Sequence, residues 1–342
     1  MRGRVFAVAA LLALPAGPVA AQRRPAPAHG QKLVATYSIV AWDSVTGDLG
    51  VAVQSKFPNV GGIVPWARAG VGAVATQSLA NVAYGERGLE LLAAGRTAEQ
   101  ALRAVMQGDT LLDDRQVGMV DARGNAASFS GTRTFAWSGA RVGARDGRGS
   151  VAGAPGQVIA GRHFAAQANI MVSDRTVANM AETFARSRGA LADRLMAALV
   201  AGQQGGGDKR GMQSAALLVV RRGGGYLGAN DRFIDIRVYD AADPIAELQR
   251  LLALHTLHFL PSAPADLVPL DRATVARLEP ILLREPAKGD KWLKAPQGSA
   301  TPAFLAALRD FMYWENYDVR VRMDGKIDRV VLRDILAKRG QR

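Results

Sequence analysis

The 342-residue chain contains no cysteine, only four histidines and, after its first 21 positions, no long apolar run. The absence of cysteine excludes disulfide bonds, thiolate metal ligands and a cysteine nucleophile. Without a later run of about 18 apolar residues, the sequence predicts no membrane-spanning helix. Because 49% of the residues are apolar, the chain can still bury a core, and the fold must hold by packing alone.

The charge of the chain is one-sided but dispersed. Lys and Arg number 43 against 30 Asp and Glu, which gives a formal net charge of +13. No dense basic run is interleaved with aromatic residues, so the sequence predicts no nucleic-acid partner. A diffuse positive field favours anionic wall polymers or lipid headgroups, and the alternative is an ordinary solvated basic surface.

The first residues have the pattern of an export signal. Two arginines precede an apolar run over residues 5–14, which a proline and a glycine break before the small residues that end at Ala21. This order predicts a cleavable signal peptide over residues 1–21, and therefore a secreted or periplasmic protein. Residues 22–33 are rich in Pro and Ala, which indicates a disordered linker or a propeptide.

Strands and helices then alternate in groups. Strands joined by hairpins are followed by pairs of amphipathic helices, with Gly95 expected to end one helix and Thr97 to begin the next. Hairpins favour antiparallel sheets over parallel βαβ units, and strands that are apolar on both faces need a cover on each. The predicted fold class is α+β: a four-layer αββα sandwich of two stacked sheets with helix pairs outside, over residues 34–258.

Several patterns imitate known sites without the context that those sites need. The glycines from Gly70 ("GVGAVA") do not lie in a βαβ unit, and no Ser or Thr follows Lys209 in "GQQGGGDKRG". His255 and His258 have no Glu between them, and the chain has no Gly-x-Ser-x-Gly elbow. We therefore expect no cofactor, no metal ion, and neither serine–histidine nor cysteine–histidine catalysis.

One nucleophilic mechanism needs neither histidine nor cysteine. A threonine at the N-terminus of a chain can use its own free α-amine as the base for its hydroxyl. Thr36 begins the first predicted strand, and Lys56 ends the second strand of the same hairpin, where a cation would lower the pKa of the amine. We predict Thr36 as nucleophile and Lys56 as its electrostatic partner. The alternatives are a plain strand threonine and a solvated lysine.

Seven stretches of the chain resemble the DUF1028 family, a set of bacterial proteins with the Ntn-hydrolase fold. In chain order they are "TYSIVAWD", "GDLGVAVQSKF", "VPWARAGVGAVATQ", "YGERGLELLAAG", "RQVGMVDARG", "GGGDKRGMQSAALLVV" and "DIRVYDAADP". They keep their order between Thr36 and Leu252. The resemblance implies the αββα sandwich and, from the wider superfamily, hydrolysis of an amide-type bond.

The resemblance also carries candidate site residues to this chain. The matched positions are Thr36, Ser55, Lys56, Arg68, Thr76, Gln77, Asp208, Arg210, Gly211, Gln213 and Ser214. The resemblance implies that Asp208 or Ser214 orients the amine. It implies that Arg68 or Arg210 holds an anionic group of the substrate. The other positions expected to bind substrate are Ser55, Thr76, Gln77 and Gln213.

Two of these expectations have structural alternatives. Residues 208–210 would also suit a solvated loop, and Thr76 and Gln77 would suit strand-end hydrogen bonds to a neighbouring loop. The chain departs from the family pattern in "RVYDAADP". There Tyr239, Ala241 and Ala242 stand where the family has an acidic pair and a histidine.

The sequence of the C-terminal part predicts a separate domain. A Pro-rich stretch over residues 259–270 predicts a linker, and three short helical patterns predict a small helical domain over residues 271–342. This tail resembles the peptidoglycan-binding domain that is found appended to the DUF1028 family. The resemblance implies that aromatic rings stack on sugars, with the alternative that they form the core of the domain. The rings concerned are Phe311, Tyr313, Trp314 and Tyr317.

The sequence thus predicts two functions from different classes. One is a secreted Ntn-type hydrolase that acts on a small amide or peptide near peptidoglycan. The other is a catalytically silent, wall-associated binding protein on the same scaffold, and a homodimer is one arrangement that such a sandwich allows. The hydrolase requires Thr36 to become the first residue. A signal peptidase would leave residues 22–35 ahead of it, so the chain must cut itself or be trimmed by another protease.

Overall fold

The structure, a computed structural model, describes residues 36–134, 137–143, 145, 150–153, 156–158, 163–284 and 291–339. The predicted signal peptide (1–21) and the predicted linker or propeptide (22–33) lie outside the described residues. No described helix combines the length and the apolar character needed to cross a bilayer.

The described strands, in chain order, are β1 (Thr36–Trp42), β2 (Leu49–Ser55), β3 (Pro65–Arg68), β4 (Gly72–Ser78), β5 (Arg115–Asp121), β6 (Ala126–Ser130), β7 (Trp137–Gly143), β8 (Ser150–Gly153), β9 (Gly156–Val158), β10 (Phe164–Met171), β11 (Ser214–Val220), β12 (Arg232–Val238), β13 (Leu267–Pro269) and β14 (Lys326–Asp328). The described helices are α1 (Ala83–Ala93), α2 (Ala98–Met106), α3 (Arg175–Arg186), α4 (Leu191–Gln204), α5 (Pro244–Phe259), α6 (Arg272–Leu282), α7 (Pro302–Trp314) and α8 (Arg329–Arg339).

The strands form two large sheets and one short pair. A seven-stranded sheet has the order β12-β11-β2-β1-β10-β7-β9, a five-stranded sheet has the order β3-β4-β5-β6-β8, and β13 pairs with β14. Most neighbours are antiparallel, as predicted, but β6 and β8 are parallel and so are β7 and β9. The predicted mixed class of helices and antiparallel sheets is confirmed.

Alternation along each strand divides its side chains between two cores. Ile39 of β1 belongs to a core that α3, α4 and α5 also line. Its neighbour Val40 points to the opposite face and shares a core with Ala73 of β4. Val74, next along β4, belongs to a core with residues of α1 and α2. Each large sheet therefore has helices on one face and the other sheet on its opposite face.

Local signals set several element ends. Thr97 accepts a hydrogen bond from the Gln100 amide while the Gln100 side chain accepts one from the Thr97 amide, which completes a capping box at the start of α2. Asp243 accepts from the Ala246 amide and begins α5. Gly124 closes the turn between β5 and β6 with a φ of +84°, where glycine is favoured.

Some strands differ from the sequence-based expectation. The stretch over residues 62–78, whose apolar and glycine-rich sequence predicts a single strand, instead contains the hairpin of β3 and β4. The central strand β10 and the pair β13–β14 were not predicted. β10 reads "FAAQANIM", in which small and amide residues stand where β-branched residues are typical of strands.

Helix α5 contributes to two cores. Its first turns pack beneath the seven-stranded sheet, whereas Leu257 near its end packs with residues of the tail. Arg320, in the segment between α7 and α8, donates to Asp328 at 2.5 Å and to the carbonyl oxygen of Thr256 at 2.6 Å. Both members of this ion pair are buried. The end of α5 is therefore part of the tail, and the residues expected as a linker, 259–270, contain strand β13.

We predict that Arg320→Leu destabilises the tail by about 3–5 kcal/mol, because it leaves the buried Asp328 carboxylate without its cation. Urea unfolding of the full chain, followed by tryptophan fluorescence, measures this change. Arg322→Leu is the control, since Arg322 pairs with Asp324 at the surface and should shift the unfolding midpoint little. An equal shift for the two variants would contradict the role given to the buried pair.

Candidate functional site

Thr36 lies at the start of β1, a central strand of the seven-stranded sheet. Its cross-strand neighbours are Ser55 on β2 and Asn169 on β10, and Ser214 of β11 lies opposite Ser55. Opposite residues of antiparallel strands share a face, so these four polar side chains form a row across the sheet. Thr36 is fully buried, and its Oγ1 lies 3.0 Å from Ser55 Oγ.

The row belongs to a buried polar layer between the two large sheets. Ser38 donates to Gln77 Oε1 at 2.6 Å across the space between the sheets. Gln77 in turn donates through Nε2 to the carbonyl oxygen of Thr36 at 3.2 Å and to Gln116 Oε1 at 2.7 Å. We name this layer the inter-sheet polar cluster; its members, all buried, are Thr36, Ser38, Ser55, Gln77, Gln116, Ser130, Gln167 and Asn169.

Strand β10 supplies two amide side chains to the inter-sheet polar cluster. Gln167 Nε2 donates to Ser38 Oγ at 2.6 Å, and Asn169 Nδ2 donates to Gln116 Oε1 at 2.9 Å. Gly118 of β5 makes room for the first of these amides, since a Cβ there would lie 2.1 Å from Gln167 Oε1. Hydrogen bonds across the gap therefore hold the two sheets together near Thr36.

Of the predicted site residues, Ser55 and Gln77 join Thr36 in this cluster. Thr76 does not, because it points to the other face of β4, where its Oγ1 donates to the Asn81 carbonyl at 3.1 Å. For Thr76 the structural alternative, a bond to a neighbouring loop, is what the structure contains.

Lys56 has a structural partner of its own. Thr36 pairs with Ser55, so Lys56 lies one residue beyond the paired strands. Its side chain is exposed, and its Nζ donates to the carbonyl oxygen of Met212 at 3.2 Å. The polar neighbour of the Thr36 hydroxyl is therefore the Ser55 hydroxyl, and Lys56 instead ties the end of β2 to the segment before β11.

Asp208 is buried and has structural partners. Its Oδ2 accepts from the Lys56 amide at 3.1 Å and pairs with the Arg210 guanidinium, while Oδ1 accepts from the Arg210 amide at 2.8 Å. Burial raises the pKa of the Tyr37 phenol well above its ordinary value, and the charges of Asp208 and Asp243 raise it further. The solvated-loop reading of residues 208–210 is thus wrong for Asp208, although Arg210 is exposed.

Ser214 and Gln213 also hold loops. The Ser214 hydroxyl donates to the Phe57 carbonyl and accepts from the Val60 amide at 3.1 Å, so its hydrogen is already committed. Gln213 bonds through its backbone, which donates to the Ser55 carbonyl and accepts from the Ala241 amide. Ser214 therefore positions residues 57–60 in the described structure, and its expected role toward the amine stays a prediction.

Arg68 lies away from the cluster. It is exposed and pairs with Gly72 at the far end of β4, five positions before Gln77, or about 17 Å at the usual rise per residue. The structure therefore does not bring Arg68 to Thr36. Tyr239, one of the residues that depart from the family pattern, is 63% exposed beyond the end of β12.

Backbone strain flanks the cluster on both sheets. Ser78, which follows Gln77, has a φ of +67°, and Ile170, which follows Asn169, has a φ of +57°. Positive φ is costly for a β-branched residue such as isoleucine. A break in the pairing of β10 with β7 between Ala168 and Met171 accompanies it. The strain lies next to two side chains that donate to the Thr36 carbonyl.

Two surface cavities lie elsewhere. A groove of about 660 Å³ runs between the end of β12 and the first turns of α5, and a cavity of about 230 Å³ lies beside Trp42 and His163. Neither is lined by Thr36. His255 stacks on Phe259 and His258 stacks on Tyr317, so each of these histidines packs against an aromatic ring.

The tail separates its aromatic residues into two groups. Phe311 and Tyr317 are buried, and the Tyr317 hydroxyl donates to Asp334, which corrects the expectation that Tyr317 offers a stacking face. Tyr313 is 49% exposed and Trp314 is 61% exposed. The Trp314 ring lies 5.8 Å from that of Trp292.

Sequence reasoning missed five members of the cluster: Ser38, Gln116, Ser130, Gln167 and Asn169. A usable signal was present, because Gln167 and Asn169 alternate with alanines as a strand with one polar face would. Gln116, the partner of Asn169 on β5, lies 53 residues away in the chain, and only the stacking of the sheets brings the two together.

Comparison with known proteins identifies the family of the chain. The sequence profile of the family of unknown function DUF1028 matches residues 36–153 and 146–248, and so covers more than half of the chain. The crystal structure of protein SPO2555 from Silicibacter pomeroyi, assigned to DUF1028, is similar with a TM-score of 0.54 and 27% identity, over 65% of this chain and 89% of that chain. No curated protein sequence matches the chain. The chain belongs to the DUF1028 family.

Proposed function

We propose that the protein is a secreted hydrolase of the N-terminal nucleophile type, which cleaves an amide bond with Thr36 once the chain is cut before that residue. One observation carries the proposal: the Thr36 hydroxyl lies 3.0 Å from Ser55 Oγ within a buried polar cluster. A threonine that opens a central strand becomes, after such a cut, an N-terminal residue held by the sheet. The stacking of two sheets with helices outside supports the αββα layering of Ntn hydrolases.

The reaction would use the groups that Thr36 itself supplies. The freed α-amine takes the proton of Oγ1 as this oxygen bonds to the substrate carbonyl carbon. The same proton passes to the leaving nitrogen as the C–N bond breaks and an ester forms. Water then attacks the ester, gives one proton to the amine, and releases the acid while that proton returns to Oγ1. Ser55 orients the hydroxyl, and Gln77 holds the Thr36 carbonyl.

The proposal requires processing. In the full chain the nitrogen of Thr36 belongs to a peptide bond with Ala35, and its hydroxyl is buried. Removal of a signal peptide after Ala21 would leave residues 22–35, so a second cut, by the chain itself or by another protease, must follow. That cut supplies the base.

The second candidate function is a catalytically silent, wall-associated binding protein. It is favoured by the burial of Thr36 and by the Lys56 ammonium, which binds the Met212 carbonyl instead of facing the nucleophile. In this function the tail binds the wall polymer. Its exposed Trp314 and Tyr313 supply the stacking faces for sugar rings of peptidoglycan.

We predict that the mature protein, recovered from its native export route, begins Thr36-Tyr37-Ser38. Intact mass and N-terminal sequencing read this directly. A chain that begins at Gln22 and stays uncut through long incubation would contradict the hydrolase and favour the binding protein.

For the mature chain, we expect Thr36→Ala to lower kcat/KM on a responsive amide on the order of a thousandfold, because it removes the attacking oxygen. Thr36→Ser, which keeps that oxygen, should retain measurable turnover in a screen of small amides and peptides. Thr176→Ala is the matched control, a buried threonine on α3 whose hydroxyl accepts from the Gly207 amide. Full activity in Thr36→Ala would remove Thr36 from the mechanism.

We also predict that the full chain sediments with purified peptidoglycan sacculi and that Trp314→Ala weakens this binding. Loss of one stacking ring should raise Kd on the order of tenfold, or about 1.4 kcal/mol. Tyr226→Ala is the control, since Tyr226 is also an exposed aromatic residue and lies outside the tail. Equal sedimentation of wild type and Trp314→Ala, or none above an unrelated protein, would exclude the tail as a wall anchor.

A further inference from the structure

Asn169 is the direct neighbour of Thr36 across the pairing of β1 with β10. Because opposite residues share a face, its side chain lies with that of Thr36 between the two sheets. Asn169 is fully buried. Its polar atoms must therefore find partners inside the protein or remain unpaired at a cost in stability.

The amide of Asn169 uses only one of its two ends. Nδ2 donates to Gln116 Oε1 at 2.9 Å and lies 3.4 Å from the Thr36 carbonyl oxygen. Two acceptors around this end identify it as the nitrogen. The other end, Oδ1, is buried and has no hydrogen-bond partner among the residues that the structure describes. An unused acceptor thus lies on the residue beside Thr36.

The nitrogen of Thr36 points to the same neighbouring strand. At the other end of β1, the Trp42 amide donates to the His163 carbonyl, which continues β10. Backbone groups alternate in direction along a strand, so Thr36, an even number of positions earlier, also directs its nitrogen toward β10. In the uncut chain this nitrogen carries one hydrogen. After a cut it carries two or three, and it needs additional acceptors.

We propose that Asn169 Oδ1 is the acceptor that holds the freed α-amine of Thr36, which makes Asn169 a positioning residue for the proposed hydrolase. The inference rests on the proposed function, since it requires the cut before Thr36. By accepting one amine hydrogen, Oδ1 turns the lone pair of the amine toward the Thr36 hydroxyl. Asn169 also donates to the Thr36 carbonyl, so one side chain would fix both ends of the first residue.

The surroundings of Asn169 suit this role. The positive φ of Ile170 and the break in pairing after Ala168 hold Asn169 in a strained segment. The charged groups at this end of the sheet are bound to other partners: Asp208 to Arg210 and the Lys56 amide, and Lys56 to the Met212 carbonyl. On the facing sheet, Arg115 is paired with Asp109.

The test measures the pKa of the α-amine. A chain that starts with Met followed by Thr36 loses the Met to methionine aminopeptidase during synthesis and presents the amine. NMR of ¹³C-labelled threonine then follows the Cα of Thr36 with pH. We expect Asn169→Asp to raise the pKa by about one unit, because a carboxylate favours the ammonium form, and Asn169→Leu to lower it, because the acceptor is lost.

Gln54→Leu is the matched control. Gln54 is equally buried, has an unpaired amide and lies beside Ser55, but it is opposite Tyr37 and so faces the helices. It should leave the amine pKa unchanged. If Asn169→Leu does not fold, as judged by thermal unfolding, Asn169→Asp decides alone. An amine pKa in Asn169→Asp equal to that of wild type would overturn the inference.

This outcome is separable from that of the proposed function. The amine titrates whether or not any amide is hydrolysed, so a shifted pKa without turnover would retain Asn169 as the amine's partner and reject the hydrolase. Turnover with an unshifted pKa would retain the hydrolase and reject Asn169 as the partner of the amine.

Discussion

The hydrogen bonds between the two large sheets are the constraint on which the rest of this fold depends. Gln77 and Gln116 reach from one sheet to Ser38 and Asn169 on the other, and all four side chains are removed from water. A buried amide left unpaired costs about 1–3 kcal/mol, so sliding one sheet by a residue would break several such bonds at once. The cluster therefore fixes the register of the sheets, and with it the position of Thr36.

Apolar side chains fill much of the remaining space between the sheets. Val40 and Val51 continue the same face of β1 and β2 and belong to the shared core with Ala73 and Ala75. The inter-sheet polar cluster thus lies toward the end of the sheets that contains Thr36. After the proposed cut, Thr36 would remain paired with Ser55 and Asn169 as the first residue of β1.

Local sequence patterns predict much of the fold, but they predict only part of the candidate site. The first hairpin, the helix pairs and the caps at Thr97 and Asp243 follow from alternation, periodicity and side chains that satisfy free backbone amides. β10 was missed because its alanine and amide residues have low strand propensity, and burial between β1 and β7 overrides that preference. Lys56 was misplaced because pairing in a hairpin fixes backbone neighbours but not the reach of a long side chain beyond the last pair. The burial of Tyr317 was not predicted, because this residue follows the end of α7, where no helical periodicity indicates which side chains are buried.

Several energetically unfavourable features of the described residues lie near Thr36. A protein that needed these sheets only for support would gain stability from apolar side chains between them, because such residues carry no desolvation cost. This chain instead keeps buried hydroxyls and amides there, leaves Asn169 Oδ1 and Ser78 Oγ unpaired among its described residues, and holds Ser78 and Ile170 at positive φ. These costs adjoin the two side chains, Gln77 and Asn169, that hold the Thr36 carbonyl. Natural sequences break local rules where function requires it, and the broken rules beside Thr36 support the site proposed there.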